Sequence, residues 1–161
     1  MSQTPLIRNE EPRDADAVAA LVERAFGPGR YAKSAERLRE GNVARMDLSF
    51  VAEIDGRLAG SVRLWPIKIG GQPALLLGPI AVDEEQRGNG LGQTLVERAC
   101  EAAQAAGEAA VLLVGDAPWF ERTGFGHAPG ALMPGPVDQR RVLIRKLRDG
   151  VADLSGPVTR N

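Results

Sequence analysis

The segment that most constrains this chain is the glycine-rich turn within Val82-Asp83-Glu84-Glu85-Gln86-Arg87-Gly88-Asn89-Gly90-Leu91-Gly92-Gln93-Thr94-Leu95. Upstream of it, residues 75–82 read as a buried strand. Downstream, Leu91, Leu95, Ala99, Ala102 and Ala106 recur at helical spacing. The turn therefore joins a strand to a helix. Glycines at 88, 90 and 92 remove the side chains that would hold a ligand away. Successive backbone N–H groups and the positive end of the helix can then face one point, which suits a phosphate or pyrophosphate.

Two familiar anion cradles fail on detail. A triphosphate P-loop needs G-x-x-x-x-G-K-[ST], but Gly92 is followed by Gln93-Thr94 and the lysine is missing. A dinucleotide fingerprint needs G-x-G-x-x-G and an acidic residue closing a strand about 20 residues later, and neither is present. What fits is R-x-x-G-x-G, as Arg87-Gly88-Asn89-Gly90-Leu91-Gly92. With Val82 ahead of it, this resembles the pyrophosphate-binding motif of the GNAT superfamily, the acetyl-coenzyme-A-dependent N-acetyltransferases. A second family signature, an aromatic residue followed by E-[KR]-x-G-F, is matched by Phe120-Glu121-Arg122-Thr123-Gly124-Phe125. The resemblance covers residues 75–125. It implies an α/β chain of GNAT fold: a mixed, mostly antiparallel sheet flanked by helices, with one βαβ crossover.

Length and charge agree with a small enzyme. A chain of 161 residues fits one core. Residues 1–150 are expected to form a single domain and 151–161 a tail that frays. A formal net charge of −1 gives no general attraction to nucleic acid or anionic membrane. No apolar stretch is long enough to span a bilayer, and Met1-Ser2-Gln3-Thr4-Pro5 lacks the features of a signal peptide, so a cytoplasmic location is expected. One cysteine, Cys100, and one histidine, His127, form no cluster of metal-site spacing. No metal is expected, Cys100 reads as a small buried hydrophobe, and His127 as a surface residue.

Along the chain, residues 6–8 suggest a first strand, and Glu11-Pro12-Arg13-Asp14 opens a helix whose apolar face is Val18, Leu21, Val22, Ala25 and Phe26. That helix is expected to stop at Gly27-Pro28-Gly29. A second one should follow Ser34 and stop at Gly41. Asp55-Gly56 between residues 49–54 and 58–65 is a hairpin signal, and a turn at Gly70-Gly71 leads to the strand at Leu75. Gly107 should end the main helix, and Ala110-Val111-Leu112-Leu113-Val114 has the wholly apolar character of an interior parallel strand. Residues 141–147 read as the last strand.

By resemblance, the reaction is direct transfer of an acetyl group from acetyl-coenzyme A to a primary amine of a small molecule or peptide. The backbone from Arg87 through Gly88, Asn89, Gly90, Leu91, Gly92 and Gln93 would hold the pyrophosphate. The edge at Ile80, Ala81 and Val82 would pair with the pantetheine arm like an added strand. Arg87 alternatively reads as a solvated surface charge. The chain departs from the family at Phe120, where many members carry a tyrosine that protonates the leaving thiolate. A thiol of pKa about 8.5 leaves readily near neutrality, so the enzyme reading stands. Phe120 and Trp119 are expected beside the cofactor arm or in the core. A non-catalytic acyl-coenzyme-A sensor on the same fold is the rival reading.

Asp116, just past the interior strand, is the first candidate base, with an Asx turn or helix cap as its structural alternative. Glu53 on the hairpin is the second candidate, reaching the amine through water. Arg30, Tyr31, Arg45, Arg63 and Trp65 are candidates to line a pocket for an acidic or aromatic amine. They read equally well as surface and core residues. Family analogy also admits a homodimer through the C-terminal strand.

Overall fold

The computed structural model describes residues 4–26 and 34–160. Its chain runs β1 (Leu6–Asn9), α1 (Ala15–Phe26), α2 (Ser34–Arg39), β2 (Phe50–Ile54), β3 (Arg57–Ile69), β4 (Gln72–Val82), α3 (Leu91–Ala105) and β5 (Ala110–Val114). It continues through α4 (Ala117–Glu121), β6 (Gly126–His127), β7 (Ala131–Leu132), β8 (Val142–Lys146) and β9 (Gly156–Arg160). The principal sheet order is β1-β2-β3-β4-β5-β8-β6. Of these pairs only β4 with β5 is parallel, and α3 is the crossover between them. The expected mixed, mostly antiparallel fold is therefore present, with β2, β3 and β4 as the meander before the glycine turn.

Side chains alternate across the sheet and bury both faces. On one face, Leu75 and Leu77 of β4 join Val111 and Leu113 of β5 against Leu95, Val96, Ala99 and Ala103 of α3. On the other, Ala81 and Val51 meet Val18, Leu21 and Val22 of α1. Leu76 and Leu112 on that same face join a cluster with Leu38 of α2. Gly107, at φ 83°, ends α3: its N–H and that of Glu108 bond to the carbonyls of Gln104 and Ala103. The stop expected for α1 at Gly27-Pro28-Gly29 lies outside the described residues.

Two expectations need correction. Residues 156–160 are not a frayed tail. They form β9, antiparallel to β3 through Ile67↔Arg160, Lys68↔Thr159 and Ile69↔Val158, and parallel to β7. Val158 is 2% exposed, and a single buried anchor together with pairing to two strands outweighs the local weakness of a Gly-Pro sequence. The strand at 142–146 is consequently not the last, and it is interior, paired to both β5 and β6.

At the N-terminal edge, Arg8 ties β1, β2 and the entry to α1 together. Its Nη1 and Nη2 donate to Asp14 Oδ2 and Oδ1 at 2.8 and 2.9 Å, and Nη2 also donates to Glu53 Oε1 at 2.6 Å. Asp14 accepts a further bond from the backbone N–H of Glu11 and is 6% exposed. The guanidinium of Arg8 holds its carboxyl at about 2, below the usual 3.8. Because the folded value is the lower one, the stabilisation is complete above about pH 4 and is lost as pH falls through about 2, amounting to roughly 2 kcal/mol. Denaturant unfolding across this window should show wild type losing about 2 kcal/mol more than Asp14→Asn. Parallel pH profiles would contradict this assignment.

Candidate active site

β4 and β5 run side by side for only two residue pairs, Leu75↔Val111 and Leu76↔Leu112. Beyond Leu76 the strands part. Against β3, the register steps from Leu64↔Leu77 to Val62↔Ile80, so Gly78-Pro79 forms a bulge in β4. Pro79 has no N–H to offer a partner. The indole N–H of Trp65 donates to the carbonyl of Gly78 at 2.5 Å and fixes the bulge from the β3 side. Past it, Ile80, Ala81 and Val82 pair with Val62, Ser61 and Gly60 on one side only. Their other edge faces the cleft between the diverging strands.

That edge leads directly into the glycine turn. Gly88 and Gly90 have φ of 88° and 85°, values that disfavour any side chain, and a Cβ on either would meet nothing within 4 Å. Asn89 braces the turn, its Nδ2 donating to Gln86 Oε1 at 2.8 Å while its Oδ1 accepts from Leu91 N at 3.3 Å. The first backbone bond of α3 is Thr94 N to Gly90 O, so the N–H groups of Gly92 and Gln93 lack acceptors within the helix. Gly92 has a different reason to be glycine: a Cβ there would stand 3.1 Å from the indole of Trp119. Arg87 is near the backbone of β4, with Nε 3.4 Å from Val82 O.

The β4 edge, the turn, the start of α3, Trp119 and Arg122 enclose a cleft of about 560 Å³. Ile80, Ala81, Val82, Arg87, Gly88, Gly90, Leu91, Gly92 and Gln93, all cofactor candidates from the sequence, line it. Asn89 supports it from behind. Phe120 does not line this cleft. It lies against a second cavity of about 410 Å³, which shares Ile80 and Phe26 with the first. Trp119 and Phe120 are thus neighbours in sequence facing two cavities, their rings edge-on with centroids 4.6 Å apart. Phe120 is 8% exposed and packs edge-on to Phe125 as well. Gly115 admits it, since a Cβ there would meet its ring at 2.4 Å.

Asp116 lines the second cavity and also caps α4, its Oδ2 accepting from Trp119 N at 3.2 Å. The structural role is therefore present, and the carboxylate still borders the cavity. Glu53 lines neither space. It projects on the face of β2 that meets α1 and is held by Arg8. The pocket candidates also lie elsewhere. Arg45 pairs with Asp47 and Glu108, Arg63 grips the buried Glu10 at 2.9 and 2.7 Å, and Trp65 is core. Arg30 and Tyr31 lie outside the described residues.

The charges that do border the second cavity are Arg39, Arg141, Asp116 and Asp138. Sequence reasoning missed three of these, because α2 and the approach to β8 acquire a cavity-facing side only through packing. Cys100 is fully buried and its thiol is pushed up to about 11 by burial, so it stays neutral. His127 is exposed on β6, away from both spaces. Among the described residues, no group of three or more His, Cys, Asp or Glu could hold a metal ion, and no helix is long and apolar enough to cross a membrane.

Comparison with known proteins agrees with this geometry. The sequence model of the acetyltransferase (GNAT) family matches residues 15–125. The uncharacterized N-acetyltransferase YhbS of Escherichia coli K12 is 35% identical over 122 residues, covering 74% of this chain and 72% of that protein. YjhQ of the same organism, likewise an uncharacterized N-acetyltransferase, is 30% identical over 73% of this chain and 67% of its own length. Among solved structures, E. coli YhbS in complex with CoA superposes with a TM-score of 0.83, at 30% identity, over 100% of this chain and 92% of that one. A Brucella melitensis GNAT acetyltransferase in complex with acetyl-CoA gives 0.74 at 26% identity, over 99% and 97%. By the match of the family model over residues 15–125 and the identity to YhbS, the chain belongs to the acetyltransferase (GNAT) family.

Proposed function

We propose that this chain transfers an acetyl group from acetyl-coenzyme A directly to the primary amine of a small molecule or peptide. The observation that carries the reading is the continuity of the site. The unpaired edge of β4 runs from the bulge into the glycine turn, and the second cavity adjoins it at Ile80. When bound, the co-substrate supplies a thioester whose carbonyl carbon accepts the amine as the C–S bond breaks.

The chain's own residues divide the work. The backbone N–H groups at the start of α3, with the positive end of that helix, suit a pyrophosphate, and the β4 edge suits the amides of a pantetheine arm. Holding both reactants across one strand turns a bimolecular encounter into a positioned one. Asp116 accepts the proton that the amine gives up, directly or through one water, while its cap to Trp119 keeps the carboxylate at the cavity rim. No phenol stands at position 120, and a thiolate needs little help to leave. In support of the co-substrate, YhbS and the Brucella protein were solved with CoA and acetyl-CoA respectively.

Gly90→Asp places a carboxylate where the pyrophosphate would lie and should weaken acetyl-coenzyme A binding at least tenfold by calorimetry. Gly90→Asn, which tolerates the same left-handed backbone without the charge, should lose clearly less. Equal, wild-type affinity in both folded variants would remove the cradle from this site. Asp116→Asn keeps a good helix cap, so thermal stability and cofactor affinity should hold while kcat with an amine falls on the order of 100-fold. An unchanged kcat would return Asp116 to a capping role alone. If the wild type binds acetyl-coenzyme A but no amine in a broad panel releases thiol, the sensor reading replaces transfer.

A further inference from the structure

The two spaces of the site differ in how their charges are balanced. The second cavity is bordered by two arginines and two aspartates. The cofactor cleft is bordered by Arg87 and Arg122, and by no acid among the described residues. Acids are close by in sequence, since Asp83, Glu84 and Glu85 precede the glycine turn. Asp83 and Glu85, however, border a separate cavity of about 90 Å³ beside the β2–β3 hairpin, together with Asp55 and Arg57. Glu121, the sequence neighbour of Arg122, does not line the cleft either. The fold thus sorts its charges so that the cleft receives cations alone.

These two cations belong to different walls. Arg87 is part of the turn, with its Nε 3.4 Å from Val82 O on the β4 side. Arg122 closes α4, three residues after Trp119, a spacing that puts both side chains on one side of the helix. Trp119 meets the start of α3 at Gly92, so this wall begins beside the turn and Arg122 lies one helical turn further along it. The backbone under Arg122 is fixed. Thr123, 3% exposed, donates from Oγ1 to the carbonyl of Phe120 at 2.9 Å, and its own carbonyl accepts from Arg145 Nη1 at 2.9 Å. Arg122 itself is exposed, and among the described residues no carboxylate pairs with it.

Coenzyme A carries two separate anions on its nucleotide half, the pyrophosphate and a 3′-phosphate on the ribose. The N–H groups of Gly92 and Gln93 and the positive helix end serve one of them, and that influence falls off within the first turn. The 3′-phosphate is a monoester with about 1.5 to 2 negative charges at pH 7, and a guanidinium offers paired donors that match its oxygens. Resting on the transfer reading above, in which coenzyme A occupies this cleft, we propose that Arg122 takes the 3′-phosphate and selects coenzyme A over its 3′-dephospho form. Arg87 stays with the turn and the pyrophosphate. Trp119 separates the two anion sites along the α4 wall. Since the 3′-phosphate is remote from the thioester, Arg122 strengthens binding in ground state and transition state alike, which lowers KM for acetyl-coenzyme A without raising kcat.

Calorimetric titration of the full chain with coenzyme A and with 3′-dephospho-coenzyme A, at low ionic strength, tests this without need of an acceptor. The wild type should bind coenzyme A about tenfold tighter, and added salt should narrow the difference. Arg122→Gln should bind both forms with the affinity that the wild type shows for the dephospho form, and Arg122→Lys should recover part of the preference. Arg87→Gln should weaken both forms alike and keep their ratio. Equal affinity of the wild type for the two forms, a preference that survives Arg122→Gln, or one that disappears in Arg87→Gln instead would overturn the proposal while leaving coenzyme A in the cleft. Binding of neither form by the wild type would overturn the transfer reading itself, and the role of Arg122 with it.

Discussion

The parting of β4 from β5 is the constraint on which the rest of this structure depends. Two parallel strands in an interior position ordinarily stay paired along their length, because an unpaired buried edge leaves strong donors and acceptors unsatisfied. Here the pairing ends after Leu76 and Leu112. The bulge at Gly78-Pro79 changes the course of β4, and the Trp65 indole satisfies the Gly78 carbonyl, so the departure is built in rather than frayed. The exposed edge is then a resource. It presents N–H and C=O groups that an extended, amide-containing ligand can satisfy, with the glycine turn at its far end.

Rigidity around this opening comes from α3 and α4. The apolar face of α3 is buried on the sheet, which fixes the direction in which its N-terminal N–H groups point. Gly92 brings that same end of the helix against Trp119. Asp116 in turn fixes the start of α4, and a helix this short would be marginal without such a cap. One side chain thereby sets the placement of Trp119 on the cofactor side and Phe120 on the other. The aromatic pair acts as a partition, and Phe120, where the family motif led us to look for a tyrosine, is here part of an apolar wall.

Much of this was legible in the sequence wherever the signal was local. Strand alternation, the Asp55-Gly56 hairpin, the glycine turn and the apolar run at 110–114 each state their structure within a few residues, and the crossover follows from their order. What escaped was set by tertiary contact. β9 carries one buried valine amid Gly, Pro, Thr and Arg, and its partner strand lies far away in sequence. Arg63 and Arg45 look like pocket cations by residue type, but strand alternation turns Arg63 toward Glu10, and Arg45 closes a bridge to Glu108. Glu53 is consumed by Arg8 in the same way. Arg39 and Arg141 had no local mark to distinguish them from other surface arginines, because only the packing of α2 and the turn into β8 brings them to the cleft.

The pair of Arg39 with Glu36 also bears on how the second cavity is held. Both side chains are 11% exposed, and a buried pair of this kind contributes little net stability, since desolvation offsets most of the attraction. An apolar pair of similar volume would serve the core of α2 at least as well. What the ion pair supplies that an apolar pair could not is a guanidinium in one orientation. Glu36 takes its Nε edge, and Nη1 lies beside Gly78 at the point where the strands separate. The same bulge that opens the β4 edge is therefore backed, through α2, by an ordered guanidinium paired to Glu36.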